Sequence, residues 1–388
     1  MAHYYNDPAG GTQSTVGKQL RDYYYARDAI TEVAKEQYFS QLASTTDMPK
    51  HYGKRIVRYI YVPLLDERNI NDQGIDATGV VTENGNLYGS SKDVGKITSK
   101  MPALSESGGR VNRVGFTRKT LEGTFQNYGY FAEYTEDMLN FDTDEQLMTH
   151  INREMLKGAN EITEALIQID LLNNAGITKY AGAATNAAEI DKDSLVTFSD
   201  LVNLTTDLDN NRTPKDTKIG TGSAKFDTRT INAARLLYIG SEVKNTLRKM
   251  TDFFENPAFV GVQHYADSTK PLRGEIGSID EFRIIVVPEM FKWEGAGAAG
   301  TAADGVHVTG GKVDVFPMLV VGSEAFTTIG FQSDAKSVKF KIIHKKPGEN
   351  VGPHDPYGKM GFMSIQWWYG FMVIRPERIA LIKTAALV

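Results

Sequence analysis

The chain contains no cysteine. Disulfides and thiolate metal sites are therefore excluded as sources of stability, and the redox state of its surroundings leaves no mark on it. Long hydrophobic runs are also missing: none approaches the roughly 18 residues of a membrane span. Residues 1–11 lack the basic and then apolar build of an export signal, so the expectation is a protein made and kept in the cytosol, with no membrane partner. Histidine is scarce, with seven residues. Only His344 and His354 lie near one another, without metal-ligand spacing, so no metal site is expected. A basic stripe is absent as well, since 43 Lys and Arg face 48 Asp and Glu for a net charge of −5. Phosphate neutralisation by cations supplies most nucleic-acid affinity, so contact with DNA is expected to be weak and non-specific.

The usual signatures of chemistry are missing too. Gly220-Thr221-Gly222 and Gly295-Ala296-Gly297 lack the downstream Gly or Lys-Ser/Thr that a phosphate loop requires. There is no Gly-x-Ser-x-Gly elbow, and no serine has a nominated histidine partner. Trp367, Trp368 and Tyr369 could stack a ligand ring, but a strand-borne Trp pair is far more often core. No catalytic residue and no cofactor is expected.

What is present is structural. Met363, Ile365, Trp367, Tyr369, Phe371 and Val373 alternate with Ser364, Gln366, Trp368 and Gly370, which predicts a strand buried on one face. A short apolar run at 379–382 follows Pro376, so the C-terminus is core. Residues 144–173 predict a long helix of about 45 Å. Its apolar stripe comprises Leu147, Ile151, Met155, Ala159, Ile162, Leu166, Ile169 and Leu172, with Asp142 or Thr143 as N-cap and Gly176 at its end. Thr197 to Asp200 predicts a second capped helix, through Leu208. Residues 231–239 predict a strand leading into a helix that buries Val243, Leu247, Met250 and Phe254. Further strands are expected at 282–287, 313–321 and 338–343, with an Ala/Gly loop at 295–311. Helices and strands without regular alternation predict an α+β fold.

Two segments stand out for how little they can bury. Residues 1–22 read as a polar arm, followed by a narrow-faced helix at 28–42. Residues 66–112, between strand-like stretches at 55–62 and 113–134, are rich in Gly, Asn, Asp and Ser. Ordering backbone costs roughly 1–2 kcal/mol per residue, so such a stretch must either stay disordered or lie on another surface.

Several motifs occur together in order: Leu104-Ser105-Glu106-Ser107-Gly108, then Thr120-Leu121-Glu122-Gly123-Thr124-Phe125-Gln126-Asn127-Tyr128-Gly129, then Glu133-Tyr134-Thr135-Glu136-Asp137. Gly274-Glu275-Ile276-Gly277-Ser278-Ile279 follows ahead of Phe282, and the C-terminal segment Gly361-Phe362-Met363-Ser364-Ile365-Gln366-Trp367-Trp368-Tyr369-Gly370-Phe371 closes the set. Across about residues 50–385 the chain resembles the major capsid proteins of tailed phages typified by the shell protein of phage N4.

The resemblance implies an HK97-type capsid fold. Its parts would be an N-terminal arm (1–50), an extended β-hairpin loop with flanking strands (51–135), and a peripheral domain with the spine helix (136–197). An axial domain (198–331) and return strands of the peripheral domain (332–388) would complete it. The implied function is self-assembly into hexamers and pentamers of an icosahedral shell around double-stranded DNA, in the virion. A scaffolding protein, a portal and decoration proteins are the implied partners. Candidate inter-subunit contacts are Arg110, Arg113, Arg118 and Lys119 on the hairpin, facing acids such as Glu161 or Glu164 on a neighbouring spine. An encapsulin-like nanocompartment shell and a β-rich tail or adhesion protein remain the alternatives.

Overall fold

The computed structural model describes residues 38–40, 42, 44–48, 51–61, 118–141, 147–215, 234–264, 272–331, 340–349 and 355–388. In chain order come strands β1 (Ser44–Met48) and β2 (Arg55–Tyr61), then the long β3 (Arg118–Thr135), which runs directly into helix α1 (Glu136–Phe141). Helix α2 (Leu147–Asn173), β4 (Ile177–Tyr180), α3 (Phe198–Asn210), β5 (Arg235–Gly240) and α4 (Lys244–Arg248) follow. Next are β6 (Val260–Gly261), β7 (Glu275–Ile279), β8 (Phe282–Val287), β9 (Val308–Thr309) and β10 (Lys312–Val313). The described chain ends with β11 (Phe316–Val321), β12 (Phe326–Phe331), β13 (Lys341–Lys345), β14 (Met360–Val373) and β15 (Ile379–Thr384). This is the expected α+β architecture. The described residues fall into two compact units, one of 131–141, 147–159, 343–349 and 355–363, the other of the remainder.

The larger unit is built on a seven-stranded sheet in the order β4-β15-β11-β5-β8-β7-β6. β5 and β8 run parallel, with Tyr238 opposite Ile285, while β11 is antiparallel to both β5 and β15. β11 is buried at every position and β5 at all but one. Continuous apolar runs of this kind are what a strand covered on both faces needs. Leu237, Ile239, Phe282, Ile284, Met318, Val320, Ala380 and Ile382 form one core with Leu201, Leu204 and Leu208 of α3. The predicted cap of α3 is present as a capping box between Thr197 and Asp200. The region expected as return strands, 332–388, supplies strands to both sheets: β15 lies inside this one, and β14 belongs to the other.

The second sheet runs β1-β12-β14-β3-β2, with β13 also paired to β14. In β14, Met363, Ile365, Trp367 and Tyr369 are buried as expected. Beyond Tyr369 the expectation of one buried face fails, because Gly370 and Met372 are buried while Phe371 and Val373 are half-buried. Here the reverse face has its own core, in which Met372 packs with Phe125 and Ile329, flanked by Ile56, Leu121 and Trp368. Gly370 permits this closeness, since a Cβ there would stand 2.5 Å from the Thr124 carbonyl oxygen.

Three further expectations are corrected. In α2 the buried line is Met155, Ala159, Thr163, Ile167 and Leu171, while Ile162 and Ile169 are 41% and 42% exposed. Past Ala159 the buried line continues in steps of four, where the apolar residues step by three to Ile162, and so takes polar Thr163 inside. The helix ends at Asn173; Gly176 instead lies against Pro376, whose carbonyl oxygen accepts its N–H at 3.1 Å and would be 2.3 Å from any Cβ. Its expected cap residues, 142 and 143, lie outside the described residues. Phe254 is 82% exposed in a turn beyond the end of α4, although Val243, Leu247 and Met250 are buried as predicted. The helix expected at 28–42 lies outside the described residues up to 37, and its end is a turn in which Leu42 N–H donates to the Phe39 carbonyl at 3.1 Å.

Candidate assembly surfaces

β2 and β3 form an antiparallel ribbon whose register places Tyr61 opposite Arg118, Tyr59 opposite Thr120 and Val57 opposite Glu122. Side chains alternate across a strand, so these six residues share one face. That face is open to water: Val57, Tyr59 and Tyr61 are 54%, 58% and 51% exposed. Tyr59 packs edge-on against Tyr61 with centroids 5.5 Å apart, and the Arg118 guanidinium lies 5.2 Å over the Tyr59 ring. Arg55 and Glu122 form an ion pair on the same side. Across β2 and residues 118–124 the only acid is Glu122, against Arg55, Arg58, Arg118 and Lys119. On a chain of net negative charge, the ribbon is a local basic, aromatic surface.

The candidate contact residues are not equivalent. Arg118 and Lys119 are both exposed, but they are consecutive in a strand and point to opposite faces. One neighbouring surface therefore meets one of them, not both face-on. Arg110 and Arg113 lie outside the described residues. Glu161 is half-buried on α2. Glu164 already has partners in its own chain: its Oε1 accepts the backbone N–H groups of Tyr38 and Phe39 at 2.6 and 2.5 Å, and its Oε2 that of Ser40 at 3.0 Å. Three donors on one carboxylate fix the segment leading to β1, and buried Phe39 then packs on Tyr238 with centroids 5.1 Å apart. Nothing at 38–40 in the sequence distinguished this anchor, because its donors are backbone groups.

Several buried charges are paired within the fold. Arg283 grips Glu275 bidentately at 2.7 and 2.6 Å, with both side chains almost fully buried. Arg235 reaches Asp209 at 2.5 Å and the Thr213 carbonyl at 2.7 Å, and Lys215 binds Glu281 at 2.5 Å. Burial alone would raise the Asp209 pKa, but the hydrogen bond and charge of Arg235, joined by Lys215, hold the carboxyl below its ordinary range. Asp170 is shifted upward by burial, opposed by the hydrogen bond it accepts from the Tyr369 hydroxyl at 2.7 Å. Among the described residues, no group of three His, Asp or Glu side chains is placed to hold a metal ion.

The described residues combine two mixed sheets with a long helix, α2. In structure the chain is similar to the capsid of Ralstonia phage GP4, with a TM-score of 0.55 and 11% identity over 96% of this chain and 97% of that one. It is also similar to the capsid of cyanophage Pam1, with a TM-score of 0.55 and 10% identity over 97% and 98%. The fold is thus the HK97-type fold of phage capsids. Residues 118–384 match the family described as Phage capsid protein. The chain is also 59% identical over 384 residues to the major capsid protein of Pseudomonas phage KPP21, covering 98% of this chain and 97% of that one. The chain belongs to the Phage capsid protein family; it is a major capsid protein, a structural component of the virion. Neither the nanocompartment nor the tail-protein alternative is favoured by these relatives.

Proposed function

We propose that the chain belongs to the N4-like branch of this family and that the hairpin of residues 51–135 clamps adjacent copies within hexamers and pentamers of an icosahedral shell around double-stranded DNA. The observation that carries the clamp is the β2–β3 ribbon, whose face of Val57, Tyr59, Tyr61 and Arg118 is exposed in the single chain. β2 is the edge strand of its sheet, and an aromatic face there that is half open to water gains by being covered. On this reading residues 1–50 are the arm, tied down at its base by Glu164; 136–197 with 332–388 form the peripheral domain, and 198–331 the axial domain. Arg110, Arg113, Arg118 and Lys119 are the candidates for the cationic side of the contact, with Arg118 and Lys119 serving opposite faces of the ribbon, and charge there sets register more than strength.

Assembly is assigned a separate scaffolding protein, with a portal and decoration proteins as further partners, and packaged DNA touches the weakly acidic wall only non-specifically. The test is deletion of residues 80–100, which lie between the two strands of the ribbon, followed by electron microscopy of the purified particles. Loss of closed shells with secondary structure intact is the expected result; normal shells would remove the clamp. Faithful shells from this chain expressed alone would remove the scaffolding requirement.

A further inference from the structure

Acids outnumber bases along the chain, yet residues 336–346 hold five lysines and a histidine with no acid among them. Part of that run is β13. Its Lys341 and Lys345 are exposed, as is Lys346 just beyond it, and only Ile343 within the strand is half-buried. Several lysines elsewhere have carboxylate partners: Lys179 pairs with Asp207, Lys215 with Glu281 and Lys292 with Glu294. Lys341, Lys345 and Lys346 pair with none among the described residues. The backbone beneath them is held in place, because the buried Tyr134 hydroxyl reaches His344 Nε2 at 2.5 Å and the Lys345 carbonyl oxygen at 3.2 Å. Glu349, the first acid after the run, accepts the Lys346 N–H at 3.1 Å. The strand is a fixed row from which three cations project.

Lysines on an edge strand also keep sheets from pairing with one another, and β13 has β14 as its one partner strand among the described residues. Charge of either sign serves that purpose. The sign is therefore the informative part: on a chain of net charge −5, a local row of cations selects an anion. Lys341 and Lys345 lie on one face of the strand about 13 Å apart, at about 3.3 Å per residue. One strand of duplex DNA carries a phosphate about every 3.4 Å of its axis, so a row of that length spans about four of them. An acidic protein segment would be gripped by apolar anchors as well, and Ile342, 38% exposed, is the one large apolar side chain open on β13. Charge in a row, with so little apolar surface beside it, suits phosphate.

We propose that β13 is a contact surface for duplex DNA, in which Lys341, Lys345 and Lys346 meet backbone phosphates without reading sequence. This rests on the reading of the chain as a wall around double-stranded DNA and gives the non-specific contact its place. The test is the fluorescence anisotropy of a labelled duplex of about 30 base pairs titrated with the unassembled full chain. Three neutralised phosphates predict a roughly 40-fold loss of affinity between about 50 and 200 mM salt. K341E/K345E/K346E keeps the strand edge charged, so its circular dichroism is expected to match the parent while duplex binding is lost. Lys341→Gln, Lys345→Gln and Lys346→Gln, taken singly, should each lower the salt slope by about 0.9. Parent-like affinity in the triple variant, or parent-like slopes in all three glutamine variants, would overturn the β13 contact, and DNA-filled particles would still leave the wall reading standing. Displacement of the duplex by poly-glutamate at equal charge concentration would also overturn it, assigning the patch to an acidic protein segment. Infectious particles found to hold no double-stranded DNA would overturn the wall reading and the contact together.

Discussion

The seven-stranded sheet and the β2–β3 ribbon are both regular β-structure built from β-branched and aromatic residues, yet water sees them in opposite ways. In the sheet, Leu237, Ile239, Phe282 and Ile284 are wholly buried, whereas in the ribbon Val57, Tyr59 and Tyr61 each keep half or more of their surface. The sheet is covered by α3 on the side where Leu201, Leu204 and Leu208 meet it; the aromatic face of the ribbon stays at least half open to water. Burial sets what a residue contributes to folding, so the sheet carries the stability of the single chain, and on the clamp reading proposed above the ribbon contributes to association.

Truncating one residue in each region tests that division. Leu237→Ala removes a fully buried side chain and should lower unfolding free energy by about 2–5 kcal/mol, read from the urea midpoint of the unassembled chain. An effect below about 1 kcal/mol would show that the sheet is not where stability resides. Acidification should have a smaller effect. Asp209 has a folded pKa below its unfolded one, so its contribution is present above the unfolded value and is lost as pH falls through the folded value. The parent should therefore lose stability below about pH 4, and Asp209→Asn should show a shallower acid limb. The difference should be modest because Asp209 is partly exposed and screened. Smallest of all, Tyr59→Ala should change chain stability by under about 0.5 kcal/mol, while reducing shell yield in sedimentation. Equal losses of stability from Tyr59→Ala and Leu237→Ala would erase the contrast between the two regions.

Much of the fold was legible where periodicity and capping act locally. Thr197 and Asp200 announced α3, and Met363 to Tyr369 announced the buried face of β14. The misses lie where a distant partner decides. Ile162 and Thr163 exchange inside and outside because α2 packs by position on its cylinder, not by side-chain polarity alone. Gly370 and Met372 are buried because side chains of the neighbouring strands β3 and β12, Phe125 and Ile329 among them, cluster on the reverse face of β14, which no local pattern records. On the ribbon, the cations Arg118 and Lys119 were named from the sequence, but the open aromatic face of Val57, Tyr59 and Tyr61 was not, since exposure follows from what the fold leaves uncovered.

The sequence alone determined that this protein is held without disulfides and that residues 379–386 are core, because composition and spacing act through nearest neighbours. Only the tertiary structure decided which faces are covered twice, which carboxylate ties down the segment before β1, and which aromatic surfaces stay open to water. Those outcomes depend on strands and helices far apart in the chain arriving side by side, and burial is a property of that meeting.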